Sequence, residues 1–175
     1  MPERVHNVLF LCTHNSARSI LAEALLNHLG EGRFQAFSAG SLGGPGPKPM
    51  ALKVLEAEGI STAGLHSKTW DVFAAPGAPV MDMVITVCDD AAGEVCPVWP
   101  GQPITAHWGI EDPSRVEGTD IERERAFVTA LRYLRNRIAV LLSLPIASLD
   151  QLILTSRVRE IGQLAGASSR RADVA

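Results

Sequence analysis

Four apolar residues in succession, Val8, Leu9, Phe10 and Leu11, stop at Cys12. A helical pattern takes over from Ser19, where Ile20, Ala24 and Leu25 recur at helical spacing with Leu21 and Ala22 beside them. An unbroken apolar run suits a strand buried on both faces, the condition of a strand inside a parallel sheet. The stretch VLFLCTHNSARS therefore reads as strand, short loop and helix, with Cys12 opening the loop and Arg18 closing it.

The rest of the chain repeats this alternation. A helix is expected over residues 18–29, stopped by Gly30. A second strand follows over 34–39, with Phe34, Ala36 and Ser38 on one face. Residues 41–48, SLGGPGPK, form a loop rich in Gly and Pro. Pro49 opens a helix through Glu58 that buries Ala51, Val54 and Leu55, and Gly59 caps it. A polar connection over 65–71 leads to Val72 and Phe73, and AAPGAP at 74–79 turns the chain. A third strand is expected over 83–87, ending at Cys88. A short helix or lid loop over 89–95 leads to Cys96, and a fourth strand covers 102–106. The loop 107–119 holds the Asp112–Pro113 turn. Residues 121–142 carry the longest helical pattern, with Phe127, Leu131, Leu134, Ile138 and Leu142 on one stripe. Pro145 breaks it, and helical spacing resumes over 149–164.

Strands alternating with helices point to an α/β fold, an open four-stranded parallel sheet with helices on both faces. Such sheets bind ligands beyond the carboxyl ends of their strands, and Cys12 and Cys88 both fall there. The 175 residues fit a single domain. Its expected extent is residues 1–165, with a helical extension from Pro145 onward and a disordered tail over 166–175.

The loop after the first strand carries a chemical meaning. Unpaired N–H groups at a helix start favour an anion, and the planar fork of Arg18 matches a tetrahedral oxyanion. The same field favours thiolate, so the Cys12 pKa is expected to fall from ~8.5 to ~5–7. Ser19 is placed to donate to that thiolate. Asn15 is suited to bracing the loop, because Asn tolerates left-handed dihedrals and bonds backbone groups. Thr13, His14, Asn15, Ser16, Ala17, Arg18 and Ser19 thus form an oxyanion cradle with a nucleophile at its floor. Asp112 is a candidate general acid, provided burial or nearby negative charge raises its pKa.

CTHNSARS after VLFL resembles the active-site loop of the low-molecular-weight protein tyrosine phosphatase superfamily, which includes the thioredoxin-coupled arsenate reductases. The resemblance implies a four-stranded parallel fold and carries the general-acid role onto Asp112. The phosphatase branch typically has aromatic residues after the Asp-Pro; here Ser114 and Arg115 follow, and the only tyrosine, Tyr133, lies in a helical stretch. That departure favours a small oxyanion, and TAHWGIEDPS is similar to the reductase branch. Cys88 and Cys96 frame CDDAAGEVC, one residue longer between the cysteines than that branch usually has. The pair implies a relay in which Cys88 attacks the sulfur of Cys12 and Cys96 then attacks Cys88. The expected partners are arsenate, with phosphate or sulfate as analogues, and thioredoxin or another thiol reductant. No tightly bound cofactor is expected. The resemblance also implies a monovalent cation, potassium, behind the loop on Asn15, Glu23, Ser38 and Asp71. A phosphatase acting on monoesters through Cys12, and a non-enzymatic redox or metal-sensing protein, stay open beside the reductase.

Composition narrows the rest. Hydrophobic residues make up 46% and the net charge is −3, so the chain is globular and shows no basic stripe of the kind that binds nucleic acid. No apolar run reaches membrane-span length, and the N-terminus lacks an apolar signal core, which places the expected compartment in the cytoplasm. Cys12, Cys88, Cys96 and His107 lack the close pairing of a zinc knuckle, and His6, His14, His28 and His66 show no ligand spacing, so no transition metal is expected.

Overall fold

The computed structural model describes residues 4–89 and 99–168. Four strands, β1 (His6–Cys12), β2 (Phe34–Gly40), β3 (Met83–Thr86) and β4 (Ile104–His107), form one sheet in the order β2-β1-β3-β4. All its pairings are parallel. β1 pairs from His6 opposite Phe34 to Cys12 opposite Gly40, and from Val8 opposite Met83 to Leu11 opposite Thr86. β1 is interior, and Val8, Leu9, Phe10 and Leu11 are all fully buried, which is why its sequence does not alternate.

Successive side chains of β1 serve two cores. Val8, Phe10 and Cys12 join the larger one, built with α1 (Arg18–Leu29), α2 (Pro49–Ala57), α4 (Asp120–Ser143) and α5 (Gln151–Ile161). Leu9 and Leu11 join a smaller one with Ala39, Trp70, Phe73, Met81, Val84 and Trp99, covered by the short α3 (Asp71–Ala74). Helices do lie on both faces, but unequally among the described residues.

Local signals explain the helix ends. Gly30 closes α1, its N–H donating to the Leu26 carbonyl at 2.8 Å. Pro49 begins α2, where its missing N–H costs nothing. Thr119 Oγ1 accepts from the Glu122 N–H at 3.2 Å and Asp150 Oδ1 from the Ile153 N–H at 3.0 Å, capping α4 and α5. In α4 the buried stripe runs Phe127, Leu131, Leu134, Ile138 and then Leu141. Leu142, expected there, is only partly buried, because at 3.6 residues per turn position 141 stays closer to the stripe.

Several boundaries differ from expectation, among them β4 (Ile104–His107, against 102–106) and α5 (Gln151–Ile161, against 149–164). β3 ends at Thr86, before Val87. At the C-terminus, Ala167 bridges Ile110 in antiparallel fashion and the Ser168 N–H donates to the Gly109 carbonyl at 3.0 Å. Residues 166–168 are therefore folded onto the domain and do not begin a tail. The remainder of the expected tail, and residues 90–98 with Cys96, lie outside the described residues.

The strand order places a crevice at the carboxyl ends of β1 and β3, because the chain leaves β1 to opposite sides. Cys12 ends β1 and Cys88 follows β3. Gly40, paired with Cys12, closes this corner: a Cβ there would stand 2.5 Å from the Thr13 carbonyl oxygen and 2.9 Å from the Asn15 nitrogen. Gly40→Ala is expected to push the loop outward and destabilise the protein by about 1–3 kcal/mol, read as a lowered midpoint in urea unfolding.

Candidate active site

The loop between Cys12 and Arg18 is tied down from within. Asn15 is fully buried and adopts φ +51°, the left-handed region that asparagine tolerates. Its Nδ2 donates to Ser19 Oγ and to Ser38 Oγ, each at 2.9 Å. Its Oδ1 accepts from the Lys68 N–H at 3.0 Å, and its carbonyl accepts from Ser67 Oγ at 2.6 Å. Ser38 Oγ donates to Glu23 Oε1 at 2.8 Å. Burial raises the Glu23 pKa, while the Ser38 hydrogen bond and the charge of Lys68 oppose the rise. Asn15, Glu23 and Ser38 thus meet behind the loop, whereas Asp71 is exposed in the first turn of α3.

No side chain caps α1 and no acid stands in its first turn, so its positive end faces the loop. Arg18 lies across the opening. Its Nη1 donates to the Ile110 carbonyl at 2.9 Å, its Nη2 stands 3.5 Å from Asp112 Oδ2, and its buried Nε has no partner among the described residues. A buried donor without a partner is rare, and here it belongs to the residue that the spacing assigned to an oxyanion.

At the floor, Cys12 and Cys88 are both buried, and Thr13 Oγ1 lies 3.6 Å from Cys88 Sγ. The hydrogen bond with Cys88, then burial, push the Cys12 thiol well above its ordinary pKa; Arg18 and the Thr13 backbone N–H pull the other way. The expected depressed value is thus corrected. A negative charge on either sulfur disfavours a second on its neighbour. Ser19, expected to donate to the Cys12 thiolate, accepts from Asn15, a bond that does not use its own proton, and the Thr13 N–H supports Cys12.

Asp112 departs from expectation in the same way. Burial raises its pKa, but hydrogen bonds from Ser114 and the charges of Arg18 and Arg115 outweigh burial and hold it below the usual value. Ser114 donates through its N–H at 2.9 Å and its hydroxyl at 2.6 Å. As it stands, Asp112 is a carboxylate.

Cys12, Thr13, Arg18, Asp112, Ser114 and Arg115 line a cavity of about 590 Å³ with His14, Ser16, Ala17, Pro45, Pro47, Lys48 and Pro49. Among the described residues, no Phe, Tyr or Trp lines it. A larger cleft, about 760 Å³, lies at the amino ends of the strands beside His6, Met83 and Ile104, away from both sulfurs; we place the site by its chemistry and not by volume. Among the described residues, no group of three or more His, Cys, Asp or Glu is arranged to hold a metal ion. His107 is held between Asp89 Oδ1 and Thr86 Oγ1, at 2.7 Å each. Sequence reasoning missed that network and the contact of Thr13 with Cys88, since neither has a signature in local spacing.

Fold and loop together define a class: a parallel α/β protein whose first strand-to-helix turn presents a cysteine within an anion cradle. Residues 7–150 match the family described as low molecular weight phosphotyrosine protein phosphatase, and the chain belongs to that family. It is 36% identical over 120 residues to an arsenate reductase of Shouchella clausii, spanning 69% of this chain and 83% of that one. A solved arsenate reductase in its phosphate-binding state superposes with a TM-score of 0.61 at 28% identity, covering 79% of this chain and 97% of that one. The thioredoxin-dependent arsenate reductase of Corynebacterium glutamicum superposes with a TM-score of 0.53 at 27% identity, covering 81% of this chain and 65% of that one.

Two predictions follow from this geometry. Arg18→Lys keeps the charge and loses the planar fork; phosphate affinity, measured by calorimetry, should fall by about tenfold or more, the worth of a charge-assisted pair. Asp112 has a depressed folded-state pKa, so the stability it contributes is present above its unfolded value and lost as pH falls through the folded one. Asp112→Asn should therefore be less stable than the native protein near neutral pH, and the two stability curves should converge on acidification.

Proposed function

We propose that this protein reduces arsenate to arsenite, oxidising two of its own thiols in each turnover. The observation that carries the reading is the contact between Cys12 and Cys88 beneath the anion cradle. Ester hydrolysis through a cysteine needs one thiol, whereas a two-electron reduction needs a second within reach of the first. Arg18, Lys48 and Arg115 give the cavity a cationic lining suited to a small oxyanion. The absence of an aromatic wall argues against a phosphotyrosine ring. The similarity to named arsenate reductases supports the same substrate.

The chemistry runs as follows. The Cys12 thiolate attacks arsenic and a hydroxyl group leaves as water. Asp112 supplies the proton: an oxyanion that engages Arg18 weakens its hold on Asp112 and adds negative charge beside it, and both changes raise the carboxyl pKa. Cys88 then attacks Cys12 Sγ. The sulfur–arsenic bond breaks with its electron pair going to arsenic, which falls from the +5 to the +3 state, and a Cys12–Cys88 disulfide forms. Thiolate attack by Cys96 on Cys88 frees Cys12 and leaves a Cys88–Cys96 disulfide. An external dithiol reduces that disulfide; the likeness to a thioredoxin-dependent enzyme makes thioredoxin the reductant we propose. No helix among the described residues is long and apolar enough to cross a membrane. The relay needs its thiols kept reduced, so we place the protein in the cytoplasm.

Peptide mapping by mass spectrometry after a single turnover tests the relay. Cys96→Ser should accumulate the Cys12–Cys88 disulfide, and Cys88→Ser should stall before arsenite release. Repeated turnovers by Cys88→Ser, with no small thiol added, would overturn the reading.

A further inference from the structure

The oxygens gathered behind the loop already surround a positive charge. Lys68 Nζ donates to the Ser38 carbonyl and to the His66 carbonyl, each at 2.8 Å, and reaches Asn15 Oδ1 at 3.5 Å. Its own backbone N–H bonds the same Asn15 oxygen at 3.0 Å. The half-buried ammonium is also attracted by the buried Glu23 carboxylate. Two of the residues that family resemblance assigns to a monovalent cation, Asn15 and Ser38, therefore direct oxygens at an amino group of this chain. Asp71, another of the four, is exposed in α3.

An ammonium and a partly dehydrated potassium ion ask for the same surroundings, a shell of oxygens around a single positive charge. They cannot share one shell, because like charges a few ångströms apart repel strongly where water is excluded. The residues present therefore do not fit a free cation while Lys68 occupies its position.

We propose that Lys68 is the cation behind the oxyanion loop: its tethered ammonium stands where a free monovalent cation would bind, and the protein works without potassium. Lys68 is a positioning residue. It fixes Asn15, whose left-handed backbone shapes the cradle, and it does so together with Ser67, which holds the Asn15 carbonyl. A covalently attached cation loses less entropy on ordering than one drawn from solution, and its occupancy does not vary with the salt around it.

The inference depends on the loop binding an oxyanion and not on arsenate reduction, so inorganic phosphate is the probe. Phosphate affinity by calorimetry and the thermal midpoint are compared in potassium, sodium and tetramethylammonium chloride at equal ionic strength. For the native protein both should be the same in all three salts. In tetramethylammonium, Lys68→Ala should bind phosphate about tenfold more weakly, the loss of one charge-assisted hydrogen bond, and should melt at a lower temperature. Potassium should restore both quantities in the variant. Lys68→Met, which keeps the apolar stem, serves if the alanine variant does not fold; if neither folds, the native comparison decides alone. A native protein that potassium tightens or stabilises beyond sodium overturns the proposal. So does a folded variant that binds phosphate normally without potassium, or one that potassium does not rescue.

Discussion

A backbone that passes from a buried parallel strand into a helix within one short loop has to leave N–H groups unpaired on the concave side. The strand's hydrogen bonds end at Cys12 and the helix's begin with the Leu21 N–H on the Ala17 carbonyl. Those open donors would be costly if buried without a partner. They are tolerable where an anion can reach them, and that requirement shapes the whole region. The left-handed turn at Asn15, the glycine at position 40 and the serines at 19 and 38 all serve to keep the loop open to its front and filled behind.

The charges around the loop divide between front and back. In front, Arg18 holds Asp112 as a carboxylate, so an incoming oxyanion competes with that carboxylate for the guanidinium. Behind, a buried carboxylate, Glu23, reaches the loop through Ser38. This separation lets the anion site stay cationic while the supporting structure carries a negative group. Cys12 lies at the boundary, buried enough to be pushed towards the neutral thiol and close enough to Arg18 to be drawn back.

Much of this was legible in the sequence because it is local. The run from Val8 to Leu11, the stop at Gly30 and the spacing of Cys12 to Arg18 are each set by neighbouring residues, and the fold class followed from repeating such units. What escaped was set by distant pairs. Lys68 sits in a polar connection with no motif, 53 positions from the asparagine it contacts, so the sequence offered Asp71 for the cation cluster instead. The direction of the Cys12 pKa was misjudged because the loop alone was weighed; the contact with Cys88 comes from the strand crossing between β1 and β3. The folded end at residues 166–168 depends on backbone bonds to Gly109 and Ile110, and backbone pairing leaves no trace in polar composition.

The contact between the two sulfurs also bears on how the protein ages in an oxidising cell. A lone thiol taken to the sulfenic acid by peroxide stays exposed to further oxidation, and the sulfinic and sulfonic forms are dead ends. Here a second thiol lies against the first, so a sulfenic acid on Cys12 condenses with Cys88, releasing water and closing a disulfide. That is the same bond that the proposed relay would form, and the same reductant would clear it. Under the proposed relay, damage and turnover would share one exit, and the floor of the site would carry its own repair path.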